Sequence, residues 1–147
     1  NLINGSDRPV ILAGHGVLIS KAHNELKILS EKSQIPVVTT LLGISSFPED
    51  HILSCGFPGM HGMAYASLIL DQSDLIIGIG TRFDDRIVGD PKKFSIRSKK
   101  IHIDIDKSEI GKTIKIDVPV IGNIRDVLKQ MNPKIIKKNR SAKQYFY

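Results

Sequence analysis

The chain has 147 residues, 41% of them hydrophobic, which suffices for one buried core and about one domain. Its formal charge is +6, but aromatics make up 5%, and the basic residues come without zinc-ligand spacing, a helix-turn-helix pattern or an aromatic RNA-binding motif. That balance argues against nucleic acid and for a solvated basic face, with Lys92, Lys93, Arg97, Lys99 and Lys100 in one loop and Lys134, Lys137, Lys138, Arg140 and Lys143 in the tail.

The lone Cys55 rules out an internal disulfide and a CxxC knuckle; a structural thiol in a reducing compartment is expected. No apolar run approaches the length needed to span a bilayer. The start at Asn1, without a signal pattern, gives the expectation of a soluble piece of a longer protein.

The first predicted element is the strand PVILAG (9–14), ending in glycine. Ser20 is placed to cap a helix whose Ala22, Leu26 and Leu29 share one face. The strand IPVVTT (35–40) follows, then a stretch from Leu41 to His61 rich in Gly, Ser and Pro, long enough to suggest function. A helix is predicted over 62–72, with Met63, Ala66 and Leu70 on one side, before the strand DLIIGIG (74–80).

In KIHIDID (100–106), Ile101, Ile103 and Ile105 alternate with His102, Asp104 and Asp106, predicting a strand with one wet face or a wet end. IKIDVPVI (114–121) makes a fifth strand, and Asn123 starts a helix with Ile124, Val127, Leu128 and Met131 on its apolar side. Residues 1–132 are read as a nucleotide-binding domain and 133–147 as a linker leaving it. Strands alternating with helices predict an α/β fold, doubly wound, with a mostly parallel sheet and helices on both faces.

Ligands of such sheets sit beyond the carboxyl ends of the strands, where GHG (14–16), TTLLG (39–43), GTRFDDR (80–86) and DID (104–106) would converge. Gly14 and Gly16 permit close backbone approach to a ligand, although Ile19 stands where GxGxxG has its last small residue, and a tight turn explains them equally. Arg82 and Arg86 can each grip a phosphate with two hydrogen bonds, or simply pair with Asp84 and Asp85. Asp104 is placed either to hold ribose hydroxyls or as a solvated strand end. His61 has no nucleophile or carboxylate in a triad or HExxH context, and the other histidines read as surface residues. No catalytic residue and no metal ligand is assigned.

Taken in order, TTLLGISSFPEDH, PGMHG, DLIIGIGTRFDDRIVG and HIDIDKSEIGK resemble the central domain of acetolactate synthase (acetohydroxyacid synthase) large subunits, which are thiamine-diphosphate enzymes. The resemblance runs from about Arg8 to Met131, and GMHG followed by GTRFDDR is its specific part. It implies a Rossmann-like domain that binds FAD and does not catalyse alone. Thiamine diphosphate and Mg²⁺ would be held by other domains, toward one of which the tail leads. The full enzyme would condense pyruvate with pyruvate or 2-oxobutyrate in branched-chain amino-acid synthesis.

On the same basis, Gly14, His15 and Gly16 approach the diphosphate, while Thr40, Leu41, Pro58, Gly59, Met60 and His61 line the flavin and ribityl part. Gly80, Thr81, Arg82, Asp84, Arg86 and Ile87 continue the site, and Asp104, Ile105, Asn123 and Ile124 flank adenosine. Met60, Asp85 and Arg86 match positions near the channel to thiamine. His15, Pro58 and Asn123 depart from the family's usual residues, and at Asn123 a helix cap is an equal explanation. Partners implied are other domains of the same chain, further copies of the full-length enzyme and a regulatory subunit, without membrane; the setting implied is bacterial cytoplasm or an organelle stroma. The rival readings are a pyruvate oxidase or 2-oxoacid decarboxylase middle domain and a non-enzymatic basic binding module.

Overall fold

Continuous β-branched runs bounded by glycine or polar residues suit strands buried on both faces. In the computed structural model, which describes residues 1–58 and 64–140, Pro9–Ala13 (β1), Val37–Thr39 (β2) and Leu75–Ile79 (β3) are buried at every position. With Lys99–Asp104 (β4) and Val118–Ile121 (β5) they form a parallel sheet in the order β2-β1-β3-β4-β5. The doubly wound α/β class expected from the sequence is therefore what the chain adopts.

Period-two alternation divides the strand residues between two cores. Ile11, Ala13, Val37, Ile77, Ile79, Ile101 and Ile103 face one side, where Val17 of His15–Ile19 (α2), Leu26 and Leu29 of His23–Ser33 (α3), and Ile124 and Leu128 of Ile124–Met131 (α6) cover them. Val10, Leu12, Val38 and Ile76 face the other, beneath Ala66, Ile69 and Leu70 of Ala64–Gln72 (α4) and Val88 of Asp85–Val88 (α5). A remaining short helix, Leu2–Gly5 (α1), precedes β1 and adds Ile3 to the first core.

The expected faces of α3 and α6 are present, with Ala22, Leu26 and Leu29 all inaccessible to solvent; of the helix predicted over 62–72, Ala66 and Leu70 are buried, while Gly62 and Met63 lie outside the described residues. Ser20, however, is not the cap of α3: Ala22 occupies that position, and the Ser20 hydroxyl donates to the Gly16 carbonyl at 2.8 Å, closing a short α2 that periodicity could not resolve. The Asn123 cap is as expected, its Oδ1 accepting from the Asp126 amide at 3.2 Å. Part of the long stretch after β2 returns beside that strand. The Val37 amide donates to Leu53 and the Cys55 amide donates to Val37, both at 2.8 Å, shielding an otherwise open edge.

Two expectations fail. The strand predicted over 114–121 is limited to Val118–Ile121, because Ile114 and Ile116 leave the ladder to cover the second core. Of the two readings of KIHIDID the wet end holds and the wet face fails: Ile105 and Asp106 are exposed, whereas His102 is fully buried, Asp104 is 9% exposed, and the buried Lys100 donates Nζ–H to the Ser95 and Ser98 carbonyls at 2.9 and 2.8 Å. Burial lowers the Lys100 pKa, although Asp117 nearby pulls it back up.

The start of the tail is held along the domain. Ile135 joins the first core, Lys138 N–H donates to Lys32, and the Arg140 guanidinium donates to the Ser33, Ser6 and Asp7 carbonyls at 3.0, 2.7 and 3.2 Å. Residues 141–147 lie outside the described residues. Arg140→Ala is expected to remove this strap and cost about 1–2 kcal/mol, read as a lower urea midpoint with an unchanged slope. An unshifted midpoint would mean that the strap contributes nothing.

Candidate functional site

Strand order places the topological switch between β1 and β3, where successive connections leave in opposite directions and a crevice opens beyond the carboxyl ends. The two strand exits meet there backbone to backbone. Gly14 N–H donates to the Ile79 carbonyl at 2.9 Å and Gly16 N–H to the Gly80 carbonyl at 3.1 Å. A Cβ on Gly14 would lie 2.3 Å from Gly80 O, and one on Gly16 would lie 2.7 Å from Gly80 Cα. The glycines are thus required by this contact whether or not a ligand is present.

Neighbouring exits join the same rim. His15, exposed, lies with Nδ1 3.2 Å from the Leu42 carbonyl, Thr40 Oγ1 accepts from the Gly43 amide at 3.0 Å, and Leu41 projects into solvent. From β4, the Gly80 amide takes the Ile103 carbonyl at 2.9 Å. Asp104 Oδ1 accepts from the Asp106 amide at 2.9 Å, so Asp104 turns inward while Ile105 and Asp106 stay open. Ile124 is 3% exposed, its Cδ1 lying 2.7 Å from where a Gly80 Cβ would sit. It plugs the glycine contact from below, whereas the Asn123 side chain is exposed beside it and caps α6.

The GTRFDDR stretch divides by residue. Gly80 takes φ +61°, which suits glycine, and Thr81 is buried with Oγ1 lacking a partner. Arg82 is exposed, Phe83 turns inward, Asp84 and Arg86 are exposed, and Ile87 is half-buried. Among the described side chains neither arginine pairs with Asp84. The exposed Asp106 has its pKa lowered mainly by hydrogen bonds from Ser108, with smaller contributions from Lys112 and Arg82. The Gly16–Gly80 and Gly80–Ile103 backbone hydrogen bonds set the exits of β1, β3 and β4, which lead to Gly16, Arg82 and Asp104, side by side.

Gly59, Met60 and His61 lie outside the described residues. Pro58 and Ile87 line a cavity of about 300 Å³ against α4 and α5, together with Leu70, Asp71, Lys93 and Phe94. A second cavity, of about 410 Å³, lies between α3 and α6. Neither is lined by Gly14, Gly16, Gly80 or Arg82.

His102 was missed as a site-building residue, because its place in an alternating strand suggested solvent. The available signal was Gly78 within DLIIGIG: a glycine inside an apolar strand marks a close approach. Here Phe83 makes that approach, and the ring then covers His102 at 5.0 Å between centroids.

Cys55, half-buried at the β2 edge, has its pKa pushed up by burial from 9.0 to about 11. Thiol alkylation at pH 8 is expected to be far slower in the folded chain than in urea. Because the folded thiol ionises later, the stability it contributes is present below pH 9 and lost as pH rises toward about 11. Equal alkylation rates in both states would contradict this environment.

Together, the parallel sheet, the switch point and the glycine-tight rim define a doubly wound α/β domain whose strand exits meet at one edge. Residues 1–131 match the family described as "Thiamine pyrophosphate enzyme, central domain", and the chain belongs to that family. It is similar to the "Probable acetolactate synthase large subunit" of Methanocaldococcus jannaschii, 49% identical over 135 residues, 92% of this chain and 23% of that protein. The acetolactate synthase large subunit of Corynebacterium glutamicum is 48% identical over 130 residues, 88% of this chain and 21% of that protein. The corresponding subunit of Buchnera aphidicola is 41% identical over 133 residues, 90% and 23% respectively. The chain spans under a quarter of the length of these relatives. Among the described residues, no helix is long and apolar enough to cross a membrane.

Proposed function

We propose that this chain is the central, FAD-holding domain of an acetolactate synthase large subunit. The observation that carries the reading is the backbone contact of the β1 and β3 exits at Gly14, Gly16 and Gly80, with Arg82 exposed beside it and not paired with Asp84. An elongated dinucleotide fits such a rim. Its diphosphate can approach the glycine backbone where side chains are absent, and a guanidinium suits phosphate geometry. His15, Thr40, Leu41, Thr81 and Asp84 border the rim at the β1, β2 and β3 exits, and Asp104, Ile105, Asn123 and Ile124 border it on the β4 and β5 side. Pro58, Gly59, Met60, His61, Arg86 and Ile87 complete the proposed set.

A cofactor held between domains is enclosed only when the other domains are in place. In the full enzyme, thiamine diphosphate supplies the nucleophilic carbon for decarboxylating pyruvate. The second substrate is pyruvate or 2-oxobutyrate, and Mg²⁺ anchors the diphosphate in a domain other than this one. The role of the present residues is to bind and orient FAD and to support the neighbouring domains.

The test uses the full-length enzyme incubated with pyruvate and thiamine diphosphate, followed by identification of both the product and the nucleotide released on denaturation. Acetolactate and FAD are expected. Acetaldehyde as sole product, or an adenine nucleotide without flavin, would replace this reading with the decarboxylase alternative.

A further inference from the structure

The Thr81 carbonyl is the fixed point of the arginine loop. His102, wholly buried in β4, lies with Nε2 2.7 Å from it. A carbonyl only accepts, and His102 Nδ1 has no partner among the described residues, so the proton resides on Nε2. Asp104 Oδ2, at 3.5 Å from the same nitrogen, is a second and longer acceptor, and the Thr81 carbonyl is the nearer one. Burial lowers the imidazole pKa against the raising influence of the Thr81 bond, Asp104 and Glu109, which favours the neutral ring.

Two further features hold the loop to this histidine. Gly78 registers opposite His102, and a Cβ on it would lie 2.5 Å from the Phe83 ring, so the missing side chain creates the seat for Phe83. Phe83 itself takes φ +50° and sets its ring at 90° to the imidazole. Bulky residues occupy that backbone region only where surroundings impose it, and such imposition concentrates at functional positions.

We propose that His102 is a positioning residue for Arg82: by holding the Thr81 carbonyl toward the core, it aims the Arg82 amide and guanidinium at the rim. In a planar trans peptide the carbonyl and the following N–H point in opposite directions, and the chain has no cis peptide among its described residues. The Thr81–Arg82 peptide therefore turns the Arg82 N–H away from His102, and no acceptor among the described residues meets it. One loop thus offers an anion both a backbone donor and a guanidinium. The inference rests on the rim being an FAD site.

The experiment titrates FAD into the cofactor-stripped full-length enzyme, using flavin fluorescence, for the unaltered protein, His102→Gln and His102→Asn. Glutamine places an N–H where Nε2 lies, whereas asparagine reaches only as far as Nδ1. Glutamine is expected to keep Kd within about threefold and asparagine to weaken it about tenfold or more, the scale of one buried carbonyl losing its donor. Asparagine binding as tightly as histidine overturns the proposal, as does glutamine binding as weakly as asparagine or failing to fold. If the asparagine enzyme does not fold, glutamine against histidine decides: a Kd within threefold supports the role, and a larger loss overturns it. An unaltered enzyme that takes up no FAD sinks the cofactor reading and this inference with it, a result distinct from any difference between variants.

Discussion

Gly14→Ala is expected to destabilise the domain by about 3 kcal/mol and to lower its Tm by roughly 10 °C. Gly14 has φ −110°, so alanine meets no backbone strain, and the whole effect is steric. The added methyl would lie 2.3 Å from Gly80 O, 2.7 Å from Thr81 Cα and 2.8 Å from Gly80 C, all backbone atoms that no rotamer change can move. Relief requires prying the β3 exit from β1, which breaks the Gly14–Ile79 and Gly16–Gly80 hydrogen bonds. Gly80→Ala adds a positive φ to a similar clash and should be at least as damaging. Gly5→Ala is the control: nothing lies within 4 Å of its Cβ position, and alanine favours the short helix, so stability should hold or rise slightly. Calorimetry of the three variants checks this. A Gly14→Ala chain that melts with the unaltered one would show that the two exits do not touch.

Arg82→Ala is the second large effect, weakening FAD binding by about tenfold to a hundredfold with little change in melting temperature. The competing use of Arg82 is a weak attraction to Asp106, but both side chains are exposed, no ion pair joins them among the described residues, and solvent and salt screen such an attraction. A phosphate held by a guanidinium is worth about 1.5–3 kcal/mol, so the expected loss comes from the ligand contact. Arg82→Lys should recover only part of the affinity, since an ammonium lacks the planar fork. Isothermal titration of the full-length variants reads these differences directly. Unchanged affinity in Arg82→Ala would return Arg82 to the role of a solvated surface charge.

The sheet was legible in the sequence because its strands are buried on both faces and leave unbroken β-branched runs, as in Pro9–Ala13 and Leu75–Ile79. Strand exits at glycine pointed correctly to one rim. Contacts between segments distant in sequence were not legible. The alternation in KIHIDID is the pattern of a half-wet strand, and only the fold-back of Phe83 onto Gly78 keeps His102 dry. In GTRFDDR, local charge allowed either phosphate contact or arginine–aspartate pairing; no pair forms with Asp84, the Asp85 side chain lies outside the described residues, and the positive φ at Phe83 was not legible in the sequence. Ser20 resembled a cap because residue type alone does not reveal that its hydroxyl is taken by Gly16 one turn earlier. Gly14 and Gly16 were open to two explanations, approach to a ligand or a tight turn, and the neighbour that excludes a side chain at both is Gly80 of this chain.

The measurement bearing most directly on the central claim is an experimental structure of the full-length enzyme with FAD bound. The account predicts the diphosphate beside the Gly14–Gly16 turn, within reach of Arg82, with the Thr81 carbonyl still directed at His102. FAD seated away from this rim, for instance against Phe94 in the cavity beside α4 and α5, or a rim filled by side chains of another domain, would contradict it.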